Sequence, residues 1–401
     1  MTLNMIIDKV AGLVGNASVA GTIQLPTSAR IRKPQKGISM PSLLDPLRIG
    51  PITAKNRVLM APMTRGRATR DHVPTPLMAD YYAQRASAGL LISEAIGISR
   101  QGLGWPYAPG LWTREQVDGW RPVVQAVHDA GGLIIAQLWH MGRMVHPSFV
   151  GGEKPVSASA TTCVPDLAHT YDGRQPYVEA RPLRVDEVPG IVADYAAAAR
   201  NAMDAGFDGV QIHAANGYLI DQFLRDSSNL RADEYGGSIE NRMRLLLEVT
   251  QAVVDAVGAD RTGVRFSPNG EVQGVRDSDP VPLFSAATAA LSRIGIAHLE
   301  LKEPPQNGSY GAGYIDPIAS QLRPLFNGVL ILNSDFDATR GQAELDAGVG
   351  DAISFGRPFI ANPDLPQRIA GGFPLAEDDR SGWLSRTARG YSDYPPYGAS
   401  A

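Results

Sequence analysis

Phe207-Asp-Gly-Val-Gln-Ile212 runs directly into His213-Ala-Ala-Asn-Gly-Tyr-Leu-Ile-Asp-Gln-Phe-Leu224. The first run suits a buried strand. His213, Asn216 and Tyr218 then stand where that strand gives way to a loop. An imidazole and a side-chain amide can both donate to one oxygen, and a phenol can give up a proton. Two donors aimed at a carbonyl, with an acid beside them, would polarise and then protonate a conjugated carbonyl compound. The plain alternative is a polar strand end that satisfies local backbone. The rest of the chain decides between them.

Working outward, the sequence alternates short strand-like runs with longer helix-like ones. The strands fall at Asn56 to Ala61, Leu90 to Ser93, Leu133 to Leu138, Phe207 to Ile212, Thr262 to Ser267, Ala297 to Leu301, Val329 to Leu332 and Asp351 to Phe355. Thr75-Pro76 opens a helix running to Ala88, with an N-cap residue followed by proline at the first helical position. Thr113-Arg-Glu-Gln116 fits a capping box, and Gly131-Gly132 closes the helix it starts. Further helices are expected from Asp186 to Ala205, from a Ser238 cap to Val257, near Pro282 to Arg293, near Ile315 to Phe326, near Ala338 to Ala347, and after Pro363. Between Trp139 and Arg184 lies a long stretch rich in Pro and Gly with no helical period, as expected of a lid or insertion. Eight strand–helix units predict an α/β fold, a single-domain (β/α)8 TIM barrel over residues 41–401. No G-x-G-x-x-G follows the first strand, which disfavours a dinucleotide-binding sheet.

Residues 1–40 read differently. One apolar patch, Met5 to Val14, is followed by Gly/Ser/Thr/Pro-rich sequence and then Arg30, Arg32, Lys33 and Lys36. A signal peptide carries its positive charge before the apolar core, and here most of it follows. The expectation is a disordered N-terminal extension, with a transit peptide as the alternative.

Composition narrows the function. The net charge of -4 argues against nucleic acid or an anionic membrane as partner. No run approaches the roughly eighteen apolar residues of a membrane span. The lone Cys163 leaves no disulfide framework, cysteine-rich metal site or cluster held by several thiolates of this chain. That fits a reducing cytoplasmic setting; a small-molecule substrate and no metal are the further expectations.

In a barrel, active sites lie at the C-terminal ends of the strands. Strand one ends in Pro62-Met-Thr64, strand two at Ala95, strand seven in Asn333-Ser334 and strand eight in Gly356-Arg357; Gln137 and Arg265 lie inside strands three and five. A guanidinium inside a barrel strand needs a core acid or an anionic or hydrogen-bonding ligand. Gln137 could likewise be a satisfied core amide. Loops after strands seven and eight are the usual barrel phosphate site, where glycine admits a phosphate and arginine pairs with it. A phosphate-bearing cofactor with a polar planar head would answer all of these residues at once.

Ordered motifs carry a resemblance. They are Asn56-Arg-Val-Leu-Met-Ala-Pro-Met-Thr-Arg65, Gln84-Arg-Ala-Ser-Ala-Gly89, Ile92-Ser-Glu-Ala95, Gln137-Leu-Trp-His-Met-Gly-Arg143 and His213-Ala-Ala-Asn-Gly-Tyr218. Tyr235-Gly-Gly-Ser-Ile-Glu-Asn-Arg242, Phe355-Gly-Arg-Pro358, Ala361-Asn-Pro-Asp-Leu365 and Gly390-Tyr-Ser-Asp-Tyr-Pro395 continue them. Over about Leu43 to Pro395 the chain resembles the Old Yellow Enzyme family of FMN-dependent ene-reductases.

The resemblance implies bound FMN, NADPH or NADH as reductant, and reduction of activated alkenes by a monomer or homodimer. It implies that Pro62, Thr64, Ala95, Gln137 and Arg265 hold the flavin ring, and that Ser334, Gly356 and Arg357 hold its phosphate. His213 and Asn216 would bind the substrate oxygen, with Trp139 and Trp105 nearby, and Tyr218 would be the proton donor. Relatives often carry glycine where this chain has Ser334, and Asp335 beside a phosphate must point away or be screened. Trp105 and Leu384 lie where many relatives place tyrosines facing the substrate. The alternatives are a nitrate-ester or nitroaromatic reductase on the same scaffold, a non-catalytic flavin-binding barrel and a flavin-free phosphosugar isomerase.

Overall fold

In the computed structural model, which describes residues 41–163, 166–308 and 312–399, eight parallel strands close into one barrel. They are β1 (Val58–Met60), β2 (Leu91–Gly97), β3 (Ile134–Trp139), β4 (Gly209–His213), β5 (Thr262–Phe266), β6 (His298–Lys302), β7 (Val329–Asn333) and β8 (Ala352–Phe355). Sequence neighbours are sheet neighbours throughout, and Phe355 beside Met60 closes the ring. The expected (β/α)8 barrel is the fold. The extension called over residues 1–40 lies outside the described residues.

Every strand is buried along almost its whole length, as parallel strands between a filled interior and a helical shell must be. The main shell helices are α1 (Pro76–Gln84), α2 (Arg114–Asp129), α3 (Val188–Ala205), α4 (Ile239–Val257), α5 (Pro280–Ile294), α6 (Ala319–Leu322), α7 (Ala338–Asp346) and α8 (Leu365–Gly371). On α2 the capping box expected from Thr113 and Gln116 is formed. Its buried stripe of Val117, Trp120, Val123, Val124 and Val127 follows the helical period and faces the sheet. Trp120 meets Phe207, just before β4, edge-on at 5.1 Å. Each such fully buried side chain stabilises by about 1.5–3 kcal/mol relative to exposure. Ser238 caps α4 through the Asn241 N–H.

Two helices depart from expectation. α1 ends at Gln84 instead of Ala88, and the Thr75 hydroxyl donates to the Arg67 carbonyl at 2.8 Å instead of capping. The helix expected from Ile315 to Phe326 shrinks to Ala319–Leu322 plus a 3-10 turn, Arg323–Leu325. Pro317 and Pro324 have no N–H to donate, which disfavours a continuous helix there.

A hairpin of Leu47–Ile49 and Ile52–Ala54 plugs the bottom, packing Leu47, Ile49 and Ile52 on Leu59, Ile92, Ile135 and Ile331. The long insertion after β3 holds a two-stranded hairpin, Leu167–Thr170 with Gly173–Pro176. Among the described residues no helix is long and apolar enough to cross a membrane.

Candidate active site

Inward-facing polar side chains link six of the eight strands below the C-terminal rim. Gln137 on β3 donates to Gln211 on β4 at 2.7 Å, and Gln211 donates to Glu300 on β6 at 3.0 Å. Ser354 on β8 donates to the other Glu300 oxygen at 2.6 Å. Arg265 on β5 donates to Asn333 on β7 at 2.8 Å, and Asn333 donates to the Ser354 carbonyl at 2.8 Å. Arg265 Nε also lies 3.0 Å from Glu300 Oε2, though without the alignment of a hydrogen bond. The core acid and the satisfied core amide posed as plain alternatives for Arg265 and Gln137 are therefore both present. Such a mutually satisfied network is rigid and holds its members in fixed orientations.

One layer higher sits the His213 constellation. Register places His213 opposite Arg265. Burial, with Arg265 and then Lys302 nearby, holds the imidazole well below its ordinary pKa, so it is neutral. Its Nδ1 and the Asn216 Oδ1 are buried without a protein partner among the described residues. Asn216 (φ 56°) and Gly217 (φ 77°) are both left-handed. A Cβ at Gly217 would lie 2.8 Å from the Val272 carbonyl oxygen, so only glycine fits. Asp221, fully buried and 2.7 Å from Arg225, accepts from the Gly217 N–H at 2.9 Å and fixes the turn. This carries Tyr218 onto the site. Its ring meets His213 edge-on at 5.0 Å and Trp139 edge-on at 4.9 Å.

A cationic corner forms where β6, β7 and β8 end. Ser334 (φ 134°) and Asp335 (φ 48°) are consecutive non-glycine residues with positive φ, a backbone that glycine adopts with less strain. Asp335 does not point away. It pairs with Arg357 at 3.3 Å, so the carboxylate is screened by the arginine expected to meet the phosphate. Lys302 lies opposite Asn333, and burial followed by Arg265 lowers its pKa to about 8.

Around these groups, Pro62 and Thr64 are half-buried on the loop after β1, and Met63 reaches toward Gly356. Buried Glu94 accepts the Arg65 and Gly66 N–H groups at 3.2 and 3.0 Å, tying that loop to β2. Arg65 and Arg67 in turn donate to the Gly390 and Trp383 carbonyls, docking the C-terminal segment. Ala95 and Trp139 share one apolar cluster, against which Trp105 and Tyr218 pack. Trp105 also meets His169 of the insertion hairpin, 4.6 Å between centroids. Leu384 is exposed.

Sequence reading missed Gln211, Glu300 and Lys302, although the alternation His298-Leu-Glu-Leu-Lys302 has the period that turns 298, 300 and 302 to one face. The residues fit a phosphate-bearing flavin. Arg357 and Lys302 supply positive charge at the corner, the Gln137 amide keeps donor and acceptor capacity beyond its one bond, and His213 Nδ1 and Asn216 Oδ1 have capacity for a polar ligand or water.

The NADH:flavin oxidoreductase / NADH oxidase family matches residues 42–376. A solved structure of an old yellow enzyme homologue from Zymomonas mobilis is 58% identical, covering 88% of this chain and 99% of that one, with a TM-score of 0.87. Morphinone reductase in complex with tetrahydroNAD is 45% identical over 88% of this chain and 97% of that one, TM-score 0.84. A putative 12-oxophytodienoate reductase of Oryza sativa subsp. japonica is 44% identical over 88% of this chain and 92% of its own length.

Proposed function

Because the chain belongs to the NADH:flavin oxidoreductase / NADH oxidase family, the Old Yellow Enzyme group of FMN-dependent oxidoreductases, we propose that it reduces the C=C bond of α,β-unsaturated carbonyl or nitro compounds. NADPH or NADH is the reductant. The observation that carries this reading is a neutral, buried His213 set edge-on to Tyr218, beside Asn216. A bound FMN would supply the hydride chemistry between the nicotinamide and the β-carbon.

The chain's own residues do the rest. His213 and Asn216 hold the carbonyl or nitro oxygen. Because His213 is neutral, its N–H donates without adding a titration near physiological pH. Each good donor to a developing oxyanion contributes about 3 kcal/mol in comparable sites. Tyr218 delivers the proton to the α-carbon. Trp139 and Trp105 wall the substrate side. Pro62, Thr64, Ala95, Gln137 and Arg265 would hold the flavin ring, and Ser334, Gly356 and Arg357, joined by Lys302, its phosphate. Buried Arg265 would favour the negative charge of the reduced ring.

Anaerobic bleaching of the yellow protein by each nicotinamide, followed by reoxidation with a panel of enones and nitroalkenes, tests the proposal. Rapid bleaching and reoxidation with formation of the saturated product is the expected outcome. Bleaching without reoxidation by any activated alkene would sink it.

A further inference from the structure

Arg143 closes the motif that begins at Gln137, yet the proposed chemistry leaves it without a task. It is buried, and its guanidinium donates to the Gln273 carbonyl at 2.9 Å and to Thr161 Oγ1 at 3.0 Å. Gln273 lies on the loop after β5 at φ 59°, in a turn with left-handed Gly274 that the Val275 N–H closes onto the Val272 carbonyl at 3.4 Å. Its Cβ sits where a side chain at Gly217 would collide. From there its Nε2 donates to the Tyr218 hydroxyl oxygen at 3.2 Å.

We infer that Gln273 is the positioning residue for the Tyr218 proton, an inference that rests on the reading of Tyr218 as the acid. A phenolic oxygen that accepts an amide N–H from Gln273 must direct its own hydrogen elsewhere. The contact thereby turns that hydrogen away from Gln273. As the step proceeds, the Tyr218 O–H bond breaks and a C–H bond forms at the α-carbon, using the electron pair left by hydride addition at the β-carbon. The phenolate keeps the Gln273 N–H as a donor until water reprotonates it. Hydrogen bonds to a charged oxygen are about twice as strong as those to a neutral one, so the contact favours the proton-depleted state. Arg143 contributes by fixing the backbone that aims this amide.

The test titrates Tyr218 directly in the FMN-loaded protein with ring-labelled tyrosine, its NMR signal assigned by its loss in Tyr218→Phe. Gln273→Met, which keeps the length but not the donor, should raise the Tyr218 midpoint by about one pH unit or more. Gln273→Glu keeps the shape but offers only an acceptor near neutral pH, and should raise it further. Both should slow enone-driven reoxidation about tenfold. Gln273→Lys, which restores a donor, should return the midpoint to the parent value or below. Retained flavin absorbance establishes that each variant is folded. An unmoved Tyr218 midpoint in both the Met and Glu variants overturns the inference. Parent-like enone reoxidation in Tyr218→Phe would instead overturn the reading beneath it, so the two failures are distinguishable.

Discussion

Arg265 and Glu300 stand opposite each other in register on β5 and β6, with Arg265 Nε 3.0 Å from Glu300 Oε2 and both side chains buried. The arginine proposed to serve the flavin is therefore also half of a core ion pair. Arg265→Ala should weaken FMN retention and lower the flavin midpoint potential by tens of millivolts. It should also cost about 3–5 kcal/mol of stability, because Glu300 is left buried and uncompensated. Adding Glu300→Gln should recover much of the stability while leaving potential and retention impaired. Thermal midpoints, dialysis and a redox titration separate the two roles. An Arg265→Ala protein with unchanged flavin retention and potential would leave only the ion pair.

Lys302 should make cofactor binding pH-dependent. Burial, then Arg265, lowers its pKa from 10.5 to about 8 in the flavin-free chain. A folded pKa below the unfolded one means that the cost of burying the charge is present below about pH 8. That cost is relieved as pH rises toward 10.5. A phosphate beside the ammonium would raise the pKa again, so binding takes up a proton. FMN affinity should fall as pH rises above about 8, by at most about tenfold per pH unit. Lys302→Met should flatten that slope. Fluorescence titrations of FMN across this range check both, and a slope unchanged by the substitution would exclude Lys302 from the phosphate corner.

Residues 1–39 should be dispensable for folding and flavin binding. Among the described residues, the first contacts come at Pro41 and Leu43: the Pro41 carbonyl accepts from Gln342 at 3.0 Å, and Leu43 is buried with its N–H donating to Gln342 at 3.0 Å. A chain opening at Met40 should bind FMN as the parent does. One opening at Asp45 loses these contacts and should unfold a few degrees lower. Loss of flavin from the Met40 chain would overturn the first expectation.

How much was legible depended on whether the determining contacts were local. The strand into His213 declared itself by an apolar run ending in polar residues, and Thr113 with Gln116 declared a helix start by chemistry confined to one turn. Glu300 and Lys302 had a local signal, the alternation from His298, that marks an inward face once a barrel is assumed. The insertion hairpin likewise carried Asp172-Gly173 at its turn, a hairpin signal in itself. Gln273 had none. Its approach to Tyr218 comes from loops 55 residues apart; its left-handed backbone belongs to the turn that Val275 closes onto Val272, in which Gly274 is left-handed too. For Asp335 sequence reasoning left two outcomes, pointing away or being screened, and the Arg357 pairing is the second; which partner screens it is a non-local contact that the sequence does not display.

Tyr218→Phe isolates the proton donor, since it removes one hydroxyl and keeps the ring that packs edge-on against His213 and Trp139. Reduction by NADPH or NADH requires no proton at carbon, so bleaching should stay within a few-fold of the parent. Reoxidation by an enone should slow by roughly 10²–10⁴-fold, the usual contribution of a positioned general acid. A nitro compound reduced at the nitro group itself should suffer much less, because no carbon is protonated in that step. If the tyrosine served only to pack the loop after β4, both half-reactions would instead shift together through lost flavin or a loosened site. Stopped-flow traces of the two half-reactions distinguish these outcomes. An enone rate within a few-fold of the parent would mean that water or another acid delivers the proton.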